Sequence, residues 1–178
     1  MKALVIYESM YGNTQRIAEA VAEGLGKHLP TTLTEVGTAA DELPDDVALL
    51  VVGGPTHAFS MSRESTRADA ASKVTKAVVS RGRGLRDWIE AVCADHGSRP
   101  PAATFATKVR RPRLFGSAAS AAAKRLRRGG FRLVTSPADF WVEGSEGPLS
   151  QGAVEAAEAW GDQLGARISQ QWTGAPAR

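Results

Sequence analysis

Hydrophobic positions along the chain alternate between short continuous runs and repeats of about four residues. Ala3 to Tyr7 is apolar throughout and predicts a buried strand. Between Asn13 and Leu29, Ile17, Val21, Leu25 and Leu29 recur at every fourth position beside Ala18 and Ala22. That spacing predicts an amphipathic helix, closed by Gly26 and Pro30. Thr31 to Val36 alternates weakly and carries little apolar mass, as an edge strand does, and Ala39 to Leu43 reads as a short helix before Pro44. Val47 to Val52 is continuously apolar and reads as a central strand covered on both faces.

The second half repeats the alternation. Ser60 to Gly84 has no strong period and reads as an excursion, partly helical and partly mobile. Leu85 to His96 predicts a helix, Ala102 to Thr107 a strand, and Ser117 to Arg128 a helix stopped by Gly129-Gly130. Phe131 to Val134 reads as a strand interrupted at Pro137, with Phe140 to Val142 as its continuation or neighbour. Gly144 to Pro148 is a turn, Ser150 to Trp172 the last helix, and Gly174 to Arg178 a frayed tail, leaving one domain over residues 1–173. Strands alternating with helices imply a parallel sheet with helices on both faces. Right-handed crossovers then gather the loops 8–14, 53–60 and 107–116 at the carboxyl ends of the strands, where open α/β sheets bind ligands.

The first of those loops carries the chemistry. Ser9, Met10, Tyr11, Gly12, Asn13 and Thr14 put hydroxyls, an amide and free N–H groups at a helix N-terminus, which is a ready anion site. Gly12 lets the backbone bend and approach a ligand. No Lys or Arg occurs between Lys2 and Arg16, so an anion here would be held by neutral donors. The competing expectation is that Ser9, Asn13 and Thr14 merely cap the helix.

Composition narrows the classes. With 178 residues, 43% hydrophobic and 23% charged, the chain reads as an ordinary soluble domain, and no apolar run approaches the ~20 residues of a membrane span. Its start shows no signal-peptide pattern, and Cys93 is the only cysteine, so a cytoplasmic setting is expected without a disulfide or a cysteine-cluster metal site. Cys93 sits in an apolar helical pattern and reads as a packed small hydrophobe. The net charge is +3, but residues 63–86 and 108–132 together hold sixteen of the 22 Lys and Arg. Such sorting suggests either a surface that meets something anionic or simply solvated loops and a solvated helix face. Those stretches lack interleaved aromatics and any nucleic-acid module, which sets nucleic acid aside. A nucleophile elbow and a His-rich metal spacing are also missing, so hydrolase and metal chemistry are not expected.

Ser9-Met10-Tyr11-Gly12-Asn13-Thr14 resembles the phosphate-loop motif of the flavodoxin family, and Gly53-Gly54-Pro55-Thr56 falls where that family's second flavin loop lies. The resemblance covers essentially the whole chain. It implies a flavodoxin-like three-layer α/β/α sandwich whose five-stranded parallel sheet has the order 2-1-3-4-5. It also implies non-covalent flavin mononucleotide (FMN) at the carboxyl edge. Ser9, Tyr11, Gly12, Asn13 and Thr14 would hold the phosphate, Met10 contributing backbone. Pro55, Thr56, His57, Ala58 and Phe59 would line one side of the flavin ring, and Thr107, Lys108, Val109, Arg110 and Arg111 the other.

The ring end departs from the family. Electron-transfer flavodoxins often stack the ring between a Trp and a Tyr. This chain offers His57 and Phe59, and no third-loop aromatic before Phe115. His57 can stack on the flavin, donate to it, or be a plain polar loop residue. The third loop is basic, with Lys108, Arg110, Arg111 and Arg113, where flavodoxins tend to be acidic. Cations there would favour the reduced, anionic flavin and make the second reduction step less negative, unless solvent screens them. The expected role is electron transfer with a redox partner protein, a reductase or an acceptor, whose surface would be acidic. Pro55-Thr56-His57-Ala58-Phe59-Ser60-Met61 also looks somewhat like the corresponding loop of flavodoxin-like quinone reductases. That second reading makes the chain an FMN-dependent NAD(P)H:quinone-type oxidoreductase, with Arg63, Arg67 or Arg110 meeting the nucleotide phosphates. A third reading is a module of this fold that has lost the flavin.

Overall fold

The strands predicted from continuous apolar runs form one sheet in a computed structural model, which describes residues 1–57, 59–72, 78–110 and 116–173. Ala58, the 111–115 part of the third loop and the tail 174–178 lie outside the described residues, as do 73–77 of the excursion. Strands β1 (Lys2–Tyr7), β2 (Thr31–Glu35), β3 (Val47–Pro55), β4 (Ala102–Val109) and β5 (Ala138–Val142) are all parallel and lie in the order β2-β1-β3-β4-β5. β3 is central and buried from Val47 to Gly54, as its apolar run requires, whereas β2 at the edge is mostly half-buried. The helices are α1 (Asn13–Gly26), α2 (Glu64–Ser72), α3 (Leu85–Ala94), α4 (Ala118–Arg128) and α5 (Ala153–Thr173).

Two cores sandwich the sheet. One joins Ile17, Val21 and Leu25 of α1 to Leu164 and Ile168 of α5. The other joins Trp88, Ile89 and Val92 of α3 to Ala118, Ala122 and Leu126 of α4. α1 and α5 approach closely because both present glycine at the crossing. A Cβ on Gly24 would stand 2.1 Å from the Glu158 carbonyl oxygen, and one on Gly161 2.3 Å from that of Val21. The rings of Phe105, Phe140 and Trp160 meet edge to face, with centroids 6.1–6.3 Å apart, and fix β4 and β5 on that layer.

Two predicted elements are absent. Residues 39–43 are not helical because their carbonyls serve side chains elsewhere: Trp88 Nε1 donates to the Ala40 oxygen at 2.9 Å and Arg83 Nη2 to that of Ala39 at 2.8 Å. Residues 131–134 are not a strand. They make one isolated bridge, Leu133 to Ala102, while Phe131 enters the α3/α4 core and Val134 the α1/α5 core. This segment carries the chain around the end of β4 to the start of β5, so its apolar residues serve two layers rather than one strand face.

Candidate functional site

At the carboxyl edge of the sheet, the loops after β1, β3, β4 and β5 surround a cavity of about 370 Å³. That size falls within the range of small-molecule sites. Of the residues expected to face a ligand, Met10, Tyr11, Asn13, Thr14, Pro55, Thr56, His57, Thr107, Lys108 and Val109 line it. Ser9, Gly12, Phe59 and Arg110 do not, and Ala58 lies outside the described residues.

The first loop is held in an open, donor-rich form. Gly12 adopts the left-handed conformation at φ 86°, a Cβ there would meet nothing within 4 Å, and no side chain caps α1 through it. Ser9 is fully buried beneath the loop, where its Oγ accepts from the N–H groups of Gly12 at 3.2 Å and Gln15 at 3.3 Å. The capping expectation is therefore met by Ser9, and not by Asn13 or Thr14. Asn13 Nδ2 donates to the Glu146 carbonyl at 2.9 Å, tying the start of α1 to the loop after β5. The N–H groups of Asn13 and Thr14 open the helix and have no intrahelical acceptor, and none of the described residues takes a hydrogen bond from them.

Thr14 and Thr107 share a hydrogen bond of 2.7 Å between their buried hydroxyls. Two hydroxyls carry two protons and this bond uses one, so the pair can donate the other into the cavity they both line. The second loop is pinned nearby: the Thr56 N–H donates to the Thr107 carbonyl at 2.9 Å, and Thr56 Oγ1 accepts from the Ala118 N–H at 3.1 Å. His57 and Ser60 exchange backbone hydrogen bonds of 2.8 and 3.0 Å across a tight turn. Burial, then the Arg67 charge, holds the His57 imidazole below its usual value, with Asp69 opposing, so the ring is neutral at pH 7. The turn thrusts out Phe59, which is 51% exposed at φ 67°.

Several cations of the basic stretches make internal contacts. Arg67 is buried, its guanidinium donating to Ser62 Oγ at 3.1 Å and Asp87 Oδ2 at 3.0 Å, so it is not free for a nucleotide phosphate. Arg86 holds the Met61 and Ser62 carbonyls, Arg83 pairs with Asp41, and Arg125 with Glu90. Arg110 stands over the Trp141 ring at 5.9 Å, and Lys108 approaches the same ring at 5.9 Å. Among the described residues, Lys108 is thus the third-loop cation that lines the cavity, and the acids Asp69 and Glu146 line it too. Burial pushes the Cys93 thiol up, in keeping with a packed rather than nucleophilic cysteine.

Sequence reasoning did not anticipate Thr66, Asp69 and Ala70 of α2, or Val142, Ser145 and Glu146 after β5. The second group had a signal: Gly144 to Pro148 is a turn after a parallel strand, so it belongs at the same edge as the other three loops. The first had none, because α2 lacks an apolar face and returns over the first loop through a contact from Tyr11 Oη to the Ala70 carbonyl at 3.2 Å.

No helix among the described residues is long and apolar enough to cross a membrane, and those residues hold no cluster of His, Cys, Asp or Glu that could bind a metal. No curated protein matches the chain in sequence. Solved structures do match it in fold. Flavodoxin 1 from Bacillus cereus is 15% identical, with a TM-score of 0.66 over 96% of this chain and 98% of that one. A flavodoxin from the domain Archaea is 16% identical, with a TM-score of 0.64 over 94% and 99%. A WrbA-like flavodoxin from Agrobacterium tumefaciens is 22% identical, with a TM-score of 0.58 over 95% and 98%. A family model described as flavodoxin matches residues 5–82, the span that holds the first two loops, and the five-stranded fold is flavodoxin-like.

Proposed function

We propose that the chain binds FMN non-covalently at the carboxyl edge of the sheet and serves in electron transfer with a protein partner. The observation that carries this reading is the Thr14–Thr107 hydroxyl pair beside the unpaired N–H groups of Asn13 and Thr14, at a cavity whose other wall is Pro55 to His57. These groups fit a phosphate ester, since they are neutral donors at the positive end of a helix. Gly12 leaves room above them. Met10, Tyr11, Gly12, Asn13 and Thr14 would hold the phosphate end, with Ser9 supporting the loop from below. Pro55, Thr56 and His57 would face the ring on one side, and Thr107, Lys108 and Val109 on the other.

Bound FMN would supply the ability to take up and release electrons. The protein's part is to orient it, to present a neutral His57 beside it, and to leave a rim where Phe59 and Arg110 face a partner. Reduction by NAD(P)H remains the second reading, resting on the likeness of the second loop to quinone reductases; Arg67 is removed from it, and Arg63 and Arg110 stay exposed. Purified protein should be yellow and release FMN on denaturation; colourless protein that takes up no added FMN would favour a module without flavin. Anaerobic mixing of the loaded protein with NADH or NADPH separates the first two readings. Persistence of colour until a separate reductase is added supports the carrier, and prompt bleaching the reductase.

A further inference from the structure

The excursion between β3 and α3 is hydrogen-bonded into the first loop. The Ser9 N–H donates to Ser80 Oγ at 2.9 Å, the Ser80 N–H donates back to the Ser9 carbonyl at 2.8 Å, and the Val79 N–H donates to the Met10 carbonyl at 3.0 Å. Ser9 is fully buried and Ser80 is 2% exposed, so water cannot replace the two bonds between them. One residue earlier, Glu8 Oε2 accepts from the Leu85 N–H at 2.7 Å, anchoring the other end of the same segment. The first loop is thus strapped along one side by residues 79–85, which follow β3 by more than twenty positions and belong to none of the three ligand loops.

We propose that Ser80 is a positioning residue of the anion site. By occupying the Ser9 N–H, it fixes Ser9 below the loop, where Ser9 Oγ gathers the N–H groups of Gly12 and Gln15. The N–H groups left over, on Asn13 and Thr14, are then the ones that face the cavity. Without the Ser80 hydroxyl, the buried Ser9 N–H has no acceptor, and the loop must turn to satisfy it. An arriving phosphate would have to restore the arrangement at its own expense. Ser80 itself touches no ligand.

The inference rests on the flavin reading only for its ligand, and two probes keep the two apart. In the first, Ser80→Ala is titrated with FMN and with riboflavin, which lacks the phosphate. FMN affinity should fall roughly tenfold or more while riboflavin affinity holds, and Ser80→Thr, which keeps the hydroxyl, should recover the difference. An equal loss for both ligands, no loss, or tighter FMN binding overturns the proposal. The second needs no variant: inorganic phosphate is added to the cofactor-free wild type and amide resonances are followed. Asn13 and Thr14 should move while Ser9 stays; a Ser9 shift as large as theirs overturns the proposal. A wild type that binds phosphate but not FMN refutes the flavin reading alone, and one that binds neither refutes both.

Discussion

Ser9 is tied to Ser80, Asn13 to Glu146 and Thr14 to Thr107, so three distant segments hold the first loop. At the other end of the cavity, Phe59 is 51% exposed beside the hydrogen-bonded pair His57 and Ser60, and Arg110 stands over Trp141. The first end resists rearrangement because Ser9, Asn13 and Thr14 are each hydrogen-bonded to a segment remote in sequence. At the second the exposed Phe59 ring can change without disturbing the sheet, although Thr56 beside it is pinned to Thr107 and Ala118. If the chain carries FMN and meets a protein partner as proposed, a fixed phosphate end and an adaptable rim are the division that role requires.

Substitutions at the two ends should therefore differ in kind. The largest effect is expected from Gly12→Val. A β-branched residue at φ 86° costs about 1–3 kcal/mol in folding and reorients the N–H groups, so FMN binding should fall below detection at micromolar ligand. Retained binding would mean that the first loop is not the anchor. Thr14→Val comes next. It leaves the Thr107 hydroxyl buried without its partner, with a loss of about 1–3 kcal/mol in urea unfolding and a matching loss of FMN affinity. A variant that is destabilised yet binds FMN normally would reduce the hydroxyl pair to a structural contact.

Glu8→Gln probes the foundation of the same end. Burial raises the Glu8 carboxyl above its free value of 4.5, against the Leu85 N–H, Ser62 and Arg67, and Oε1 has no hydrogen-bond partner among the described residues. A carboxyl so raised holds its proton more tightly folded than unfolded, so its ionisation at pH 7 costs stability that returns as pH falls through the folded value. Glutamine keeps an acceptor for Leu85 and carries no charge. The variant should be the more stable protein at pH 7, with its advantage shrinking toward pH 4.5; lower stability at pH 7 would mean that the charge is favourable there. The smallest effect is expected from Phe59→Ala, which should alter stability by no more than about 0.5 kcal/mol and leave FMN affinity unchanged. A clear fall in affinity would show that Phe59 folds onto the ring, and would undo the contrast between the two ends.

The central strand was legible because a buried parallel strand needs a continuous apolar run, which Val47 to Val52 supplies. Residues 39–43 and 131–134 were not, since Trp88, Arg83 and the passage between two cores decide their conformation, and those partners are remote in sequence. The same reason divides the site. Ser9 to Thr14 announces itself through local chemistry, whereas the strap at Ser80 and the wall from α2 arise only when the chain returns. Charge can be counted in a sequence, but Arg67 takes its partners, Ser62 and Asp87, from the fold.

The central claim, that the first loop is a phosphate anchor for a flavin, is tested most directly by titrating the cofactor-free protein with FMN and riboflavin side by side. FMN should bind at one per chain and at least roughly tenfold more tightly than riboflavin. Equal affinity for the two, or no binding of FMN, would contradict it.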